Sequence, residues 1–286
     1  MEFLPIFFLV LRGLAFLAGV SLNGCVLFFT GCRLELTVNA LWSLNRAVAD
    51  FIFIIFLPLR FTFIVDLAWT RRLSSTITSL HMSSSAFLLT ALSIDHCLLV
   101  AHPVWAQQLR TPSLVFWVVV GTWVLSLGFS LQYCDLWESL LSPASLGVNF
   151  QVQERWAKTG VVIQFLVGFL IPLSLALIPT IYIVLAAKLK RNRLIQSTQP
   201  LKISLGLILT FFLCWLPYHV LYFLWISATT PQPLLELGSN FACFLTYANS
   251  CLNPIFYLTM EEEFLSYQQR ARSPQTTDNL GPELAE

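Results

Sequence analysis

The sequence predicts an all-α membrane protein, a seven-transmembrane helix bundle followed by a short amphipathic eighth helix. Three observations carry that prediction. Apolar residues fill 57% of the 286 positions and charged residues only 11%, and the mean hydropathy of +0.74 lies above the range of soluble domains. The apolar residues are gathered into long runs, each sufficient for the roughly 20 residues that cross a bilayer. Turn residues and charge clusters separate those runs, leaving no room for a separate soluble domain.

The first run begins at the N-terminus. Met1 to Val10 lacks the basic start of a secretory signal, and the apolar stretch continues past Arg12 to Phe29, so a spanning helix over 4–30 is expected rather than a cleaved peptide. The same patterning predicts helices over 37–65, 73–100, 113–133, 160–188, 200–228 and 234–260, which places the seven-helix bundle in residues 1–260. In 261–272, Phe264, Leu265 and Tyr267 stand among charges, the pattern of a short helix on the inner membrane surface. Residues 273–286 read as a disordered cytoplasmic tail.

Loop charges orient the bundle. With the N-terminus outside, the cytoplasmic side holds Arg33, Arg110, Lys188, Lys190, Arg191, Arg193, Lys202, Arg270 and Arg272, and the outside holds Arg71, Arg72, Arg155 and Lys158. The positive-inside rule therefore expects N-out, C-in.

Several function classes fall away on composition. A net charge of +1 without a basic or acidic run argues against nucleic-acid binding. The seven cysteines show no CxxC or metal-type spacing and read as small packing residues. His81, His102 and His219 fall at different helix depths, so no catalytic triad, metal site or enzyme activity is expected. Helix seven has no Lys for a Schiff base, and no inverted repeat suggests a transporter.

Polar residues inside apolar helices are costly and mark candidate sites. Asn23, Asp50, Ser85, Asn249, Ser250 and Asn253 fall near mid-helix. Two readings stand side by side: a shared polar cavity holding water or a small cation, with Asp50 as its charge, or interhelical hydrogen bonding that joins the bundle. Pro58, Pro172, Pro179, Pro217 and Pro254 each free a backbone carbonyl and kink a helix, giving hinges or static packing.

The motifs FFLCWLPYH at Phe211 to His219 and NSCLNPIFY at Asn249 to Tyr257 resemble the sixth- and seventh-helix motifs of rhodopsin-like G-protein-coupled receptors. LNG at Leu22 to Gly24, AVAD at Ala47 to Asp50, LSIDHC at Leu92 to Cys97, Trp123, and Pro172 in FLIP follow in the order that family requires. Within it, GCRLELTVNALW at Gly31 to Trp42 and HPVWAQQLRTP at His102 to Pro112 are similar to the chemoattractant branch. That branch includes formyl peptide receptors, the chemoattractant-type prostaglandin receptor and a related orphan.

The resemblance implies roles residue by residue. Asp50, Ser85, Trp215, Asn249 and Asn253 match a pocket for water and an allosteric sodium ion. Asp95, His96, Trp215, Pro217, Asn253, Pro254 and Tyr257 match the activation switch and the face that meets a heterotrimeric G protein. Agonist binding would bias an outward swing of helix six, a population shift between two packings. Arg60, Thr78, Met82, Gln164, Tyr218, His219 and Tyr222 become ligand-site candidates. Arg60 could hold the carboxylate of a peptide or lipid acid, or snorkel to the interface.

The chain also departs from the family pattern. His96 stands where Arg follows the third-helix Asp; imidazole is shorter, mostly neutral near pH 7, and has two ring nitrogens where Arg offers five donors, which weakens the expected G-protein coupling. Arg71 stands where the family's disulfide-forming Cys belongs, and Cys134 and Cys243 are too far apart in depth to replace it. Thr180 replaces the usual fifth-helix Tyr, with Tyr182 nearby, Arg46 interrupts helix two, and no N-x-S/T sequon occurs. Two readings remain. One is a plasma-membrane receptor for a chemoattractant-like peptide or lipid acid, with impaired signalling. The other is a non-signalling decoy, scavenger or dimerisation protein from a decaying or truncated gene; weak surface display is expected, and strong display would count against decay.

Overall fold

A computed structural model of the chain describes residues 3–32, 37–60, 68–102, 104, 108–131, 150–190, 199–227 and 231–272. Seven long helical runs make up the described chain. They are α1 (Phe3–Gly31), α2 (Val38–Ile55), α3 (Ala68–Ala101), α4 (Pro112–Leu131), α5, α6 (Gln199–Ser227) and α7 (Gln232–Arg272). The α5 run has three parts, Phe150–Phe165, a π-helical turn Leu166–Leu170, and Ile171–Lys190. Among the described residues no strand occurs. The tail over 273–286 lies outside the described residues.

Local chemistry sets the ends of these helices. Thr37 caps α2, its hydroxyl oxygen accepting from the Ala40 N–H at 3.2 Å, which satisfies one of the orphan donors of a first turn. Thr111 does the same for α4 through the Leu114 N–H at 3.2 Å, and Pro112 occupies the first helical position, where a missing N–H is harmless. The α2 helix stops at Ile55, ahead of the expected 65. Pro58 cannot donate and its ring opposes continuation, so the chain tightens into a 3-10 turn over Leu57–Arg60.

Two other expectations change. The α3 and α5 runs begin at Ala68 and Phe150, earlier than the expected 73 and 160, because apolarity marks only the membrane-crossing part of a helix. Residues 261–272 are helical as expected, yet they continue α7 without a loop. No Gly or Pro lies between Ile255 and Arg272 to stop the helix.

The π turn has an identifiable cause. Pro172 removes one N–H from the ladder, and the Ile171 N–H reaches back to the Leu166 carbonyl, widening the helix by one residue. At Gly168 in that turn a Cβ would lie 2.7 Å from Met82 Cε and 3.2 Å from Phe129 Cε1, so a larger residue would make those side chains shift where α5 meets α3.

The α3 helix is the centre, packing against α2, α4, α5 and α6, while α1, α2, α6 and α7 close the ring. Large apolar side chains point outward, including Leu17, Trp117 and Ile178 at 63%, 66% and 67% exposure. A water-soluble monomer rarely displays so much apolar surface. Among the described residues six helices are long and apolar enough to cross a membrane; α7 is diluted by Asn249, Ser250 and Asn253, all fully buried. The molecule is thus apolar outside and partly polar inside, the arrangement a bilayer demands.

Candidate functional site

The polar interior gathers on Asp50. On α2 its carboxylate is fully buried, and both oxygens are engaged. Oδ1 lies 2.8 Å from His81 Nε2 on α3, and Oδ2 accepts from Asn253 Nδ2 on α7 at 2.9 Å. A carboxylate only accepts, so His81 Nε2 carries the hydrogen. The same nitrogen lies 3.1 Å from Ser250 Oγ, and Asn23 on α1 donates to the Ser250 carbonyl at 2.9 Å. One network therefore ties α1, α2, α3 and α7 together. The His81 ring is sandwiched by Phe53, stacked at 4.1 Å and 4°, with Trp215 at 5.5 Å beyond it.

Arg46 occupies the same chamber. It does not interrupt α2 as expected; the helix runs through it, and the side chain is only 2% exposed. Four residues before Asp50, it projects from the same helix face. Its Nη1 donates to the Ser85 carbonyl of α3. Of the predicted pocket residues, Asp50, Asn249 and Asn253 are joined by hydrogen bonds, the last two at 3.4 Å. Ser85 contributes its carbonyl to Arg46, and Trp215 contributes its ring face to His81.

At the other end of α3, Asp95 and His96 part company. Arg110 clamps Asp95, with Nε 3.0 Å from both carboxylate oxygens and Nη2 2.8 Å from Oδ2. Trp42 Nε1 donates to Oδ2 at 3.2 Å, and Arg110 Nη2 also reaches Asn39 Oδ1 at 2.6 Å. His96 turns inward to α6 instead. It is 1% exposed, and its Nδ1 lies 2.7 Å from the buried Ser204 Oγ. Asp95 and Arg110 border a cavity of about 220 Å³ lined by Trp42, Ala91, Leu98 and Val118. Thr180 bonds back to the Ala176 carbonyl at 2.7 Å and meets Cys97 at 3.9 Å. Tyr182, the nearby aromatic, is 73% exposed and faces away from the bundle.

Of the switch residues on α6 and α7, Pro217 and Pro254 lie inside their helices, and Tyr257 is buried. The ligand-site candidates Thr78, Met82, Gln164, Tyr218, His219 and Tyr222 are all buried. Trp215, Tyr218, His219 and Tyr222 form an aromatic cluster on α6 in which Tyr218 meets Trp215 and His219 edge to face, with the two tyrosine hydroxyls hydrogen-bonded. Phe169 of α5 lies 4.6 Å from His219, and Met82 packs at Gly168. Thr78 stands apart, its hydroxyl bonding to the Ser74 carbonyl at 2.8 Å. Arg60 ends the 3-10 turn, and its side chain lies outside the described residues, as does Cys134.

The sequence reading gave Arg46, His81 and Arg110 no place in either site and did not single out Ser204. A signal existed for two of them. Arg46 and His81 fall four residues before Asp50 and Ser85, the spacing that puts helical neighbours on one face.

A closed ring of seven apolar-sided helices with a polar axis, a proline inside each of α6 and α7, and a charged α3 terminus is the architecture of a multi-pass membrane protein. The chain belongs to the seven-transmembrane receptors of the rhodopsin family, whose pattern matches residues 22–257. It is similar to chemerin-like receptor 1 of Mus musculus, 35% identical over 92% of this chain and 78% of the relative. The rat protein of that name matches at 35% over 92% and 77%. Formyl peptide receptor 2 of Mus musculus matches at 31% over 90% of this chain and 80% of its own. These are chemoattractant-class G-protein-coupled receptors, so the protein is a G-protein-coupled receptor and not an enzyme.

Proposed function

We propose that the protein is a plasma-membrane receptor for a chemoattractant-like peptide or lipid acid, N-terminus outside and C-terminus cytoplasmic, whose G-protein signalling is impaired. The ligand class rests on the relatives, named for chemerin and for formyl peptides. One observation carries the impairment: His96 bonds Ser204 on α6 at 2.7 Å, while Arg110 takes Asp95. The residue that should reach a G protein is a short imidazole tying α3 to the helix that must swing. Arg60 remains the proposed partner of a ligand carboxylate. The same bond favours a second reading, a decoy or dimerisation partner that binds without signalling.

The test uses an epitope-tagged chain in cells, with surface staining and nucleotide exchange measured against chemerin and an N-formyl peptide. The expected result is weak surface display, no exchange by the wild type, and exchange restored by His96→Arg. Strong exchange by the unaltered chain overturns the impairment. Binding without exchange in a surface-displayed His96→Arg variant overturns the receptor reading in favour of the decoy.

A further inference from the structure

The bundle centre is where the family resemblance expects a sodium ion, and two observations show that the residues present do not fit one. Each oxygen of Asp50 already holds a donor, His81 Nε2 at 2.8 Å and Asn253 Nδ2 at 2.9 Å. The second observation concerns charge. Arg46 is 2% exposed in the same chamber, fixed by its bond to the Ser85 carbonyl, and a guanidinium does not shed its proton in a protein. Its Nε and Nη2 have no hydrogen-bond partner among the described residues, and neither do the oxygens Ser85 Oγ and Asn253 Oδ1, so the charge of Arg46, and not a shortage of acceptors, is what opposes a sodium ion. Asp50 and Arg46 cancel. A sodium ion would add a second cation to a buried site holding one carboxylate, which is the uncompensated buried charge that folded proteins avoid.

We infer that the cation of this bundle is covalently attached: Arg46 permanently supplies the charge that a dissociable sodium ion would supply, while His81 and Asn253 hold the Asp50 oxygens. The inference does not depend on whether the receptor signals, because its readout is the stability of the chain without agonist or G protein.

The experiment compares thermal unfolding of the purified full chain in sodium chloride and in N-methyl-D-glucamine chloride at equal ionic strength. The wild type should unfold at the same temperature in both salts. The double variant Arg46→Leu, His81→Asn should gain a sodium-specific rise that grows with sodium concentration, as binding to the folded state requires. A sodium-specific rise in the wild type that Asp50→Asn abolishes overturns the inference. So does a folded double variant indifferent to sodium. If that variant does not fold, a charge cycle decides. Asp50→Asn strands the guanidinium and lowers the unfolding temperature, and adding Arg46→Leu should recover part of the loss; no recovery refutes the pairing.

Discussion

The Arg110 clamp on Asp95 gives the most direct prediction. Arg110→Ala removes three contacts to the carboxylate at 2.8 to 3.0 Å and one to Asn39 at 2.6 Å, leaving Asp95 with Trp42 Nε1 at 3.2 Å. The side chains are 17% and 14% exposed, which places the pair between two regimes. Exposed ion pairs contribute about 0–1 kcal/mol, and breaking a fully buried pair costs about 3–5 kcal/mol. Discounted for partial solvent screening, the expected loss is about 2 kcal/mol. Thermal unfolding in detergent, followed with a thiol-reactive dye that reaches buried Cys97 and Cys214 only on unfolding, measures it. Arg110→Lys should recover only part, because a point charge cannot reproduce the bidentate fork. In a double-mutant cycle with Asp95→Asn the pair should show a coupling of about 1–2 kcal/mol. Simple additivity, or an Arg110→Ala variant that melts like the wild type, would refute the clamp.

Two further predictions concern α6. A Cβ at Gly206 would lie 2.5 Å from Phe256 Cε1 and 3.2 Å from its Cζ, so Gly206→Ala should destabilise by about 1–3 kcal/mol through overpacking against α7. Adding Phe256→Leu should recover stability in the same melting assay, and a lone Gly206→Ala variant without a melting shift would contradict the contact. Ser204→Ala removes the bond to His96 and should cost about 1 kcal/mol. The amides at the start of α6 should then exchange faster with deuterium; unchanged exchange there would mean that His96 does not hold the helix.

The fold was legible because the bilayer imposes long apolar runs, and the runs survive in sequence whatever the tertiary contacts. Boundaries were less legible. The apolar run of α2 continues to Val65, but the helix ends at Ile55, since one missing N–H at Pro58 outweighs ten residues of hydropathy. The π turn depends on Pro172 together with the approach of Met82 to Gly168, and only the first of these is local. Asp50, Asn249 and Asn253 could be found from polarity alone, because a polar group at membrane depth needs a reason. Arg46 was misread because a charge in an apolar run looks the same whether it faces lipid or the bundle axis. Arg110 was read only as a loop charge. Its role is set by a bond to Asp95 across a loop that hydropathy does not resolve.

The pattern of partners also separates two accounts of the departures from the family. Unselected substitution removes one member of a buried pair and strands the other, at about 3–5 kcal/mol for each buried ion pair. At Asp95, His96 and Thr180 this chain does not show that pattern. The extra guanidinium of Arg46 shares a chamber with Asp50 and binds the Ser85 carbonyl. Asp95, without an arginine beside it, is held by Arg110 from the α3–α4 loop. His96 is bonded to Ser204, and Thr180 satisfies its own hydroxyl on the Ala176 carbonyl. Arg46 Nε and Nη2 and the Tyr257 hydroxyl, by contrast, have no hydrogen-bond partner among the described residues. Surface display with ligand binding but no nucleotide exchange would favour a bundle kept for binding, and failure to reach the surface would favour decay.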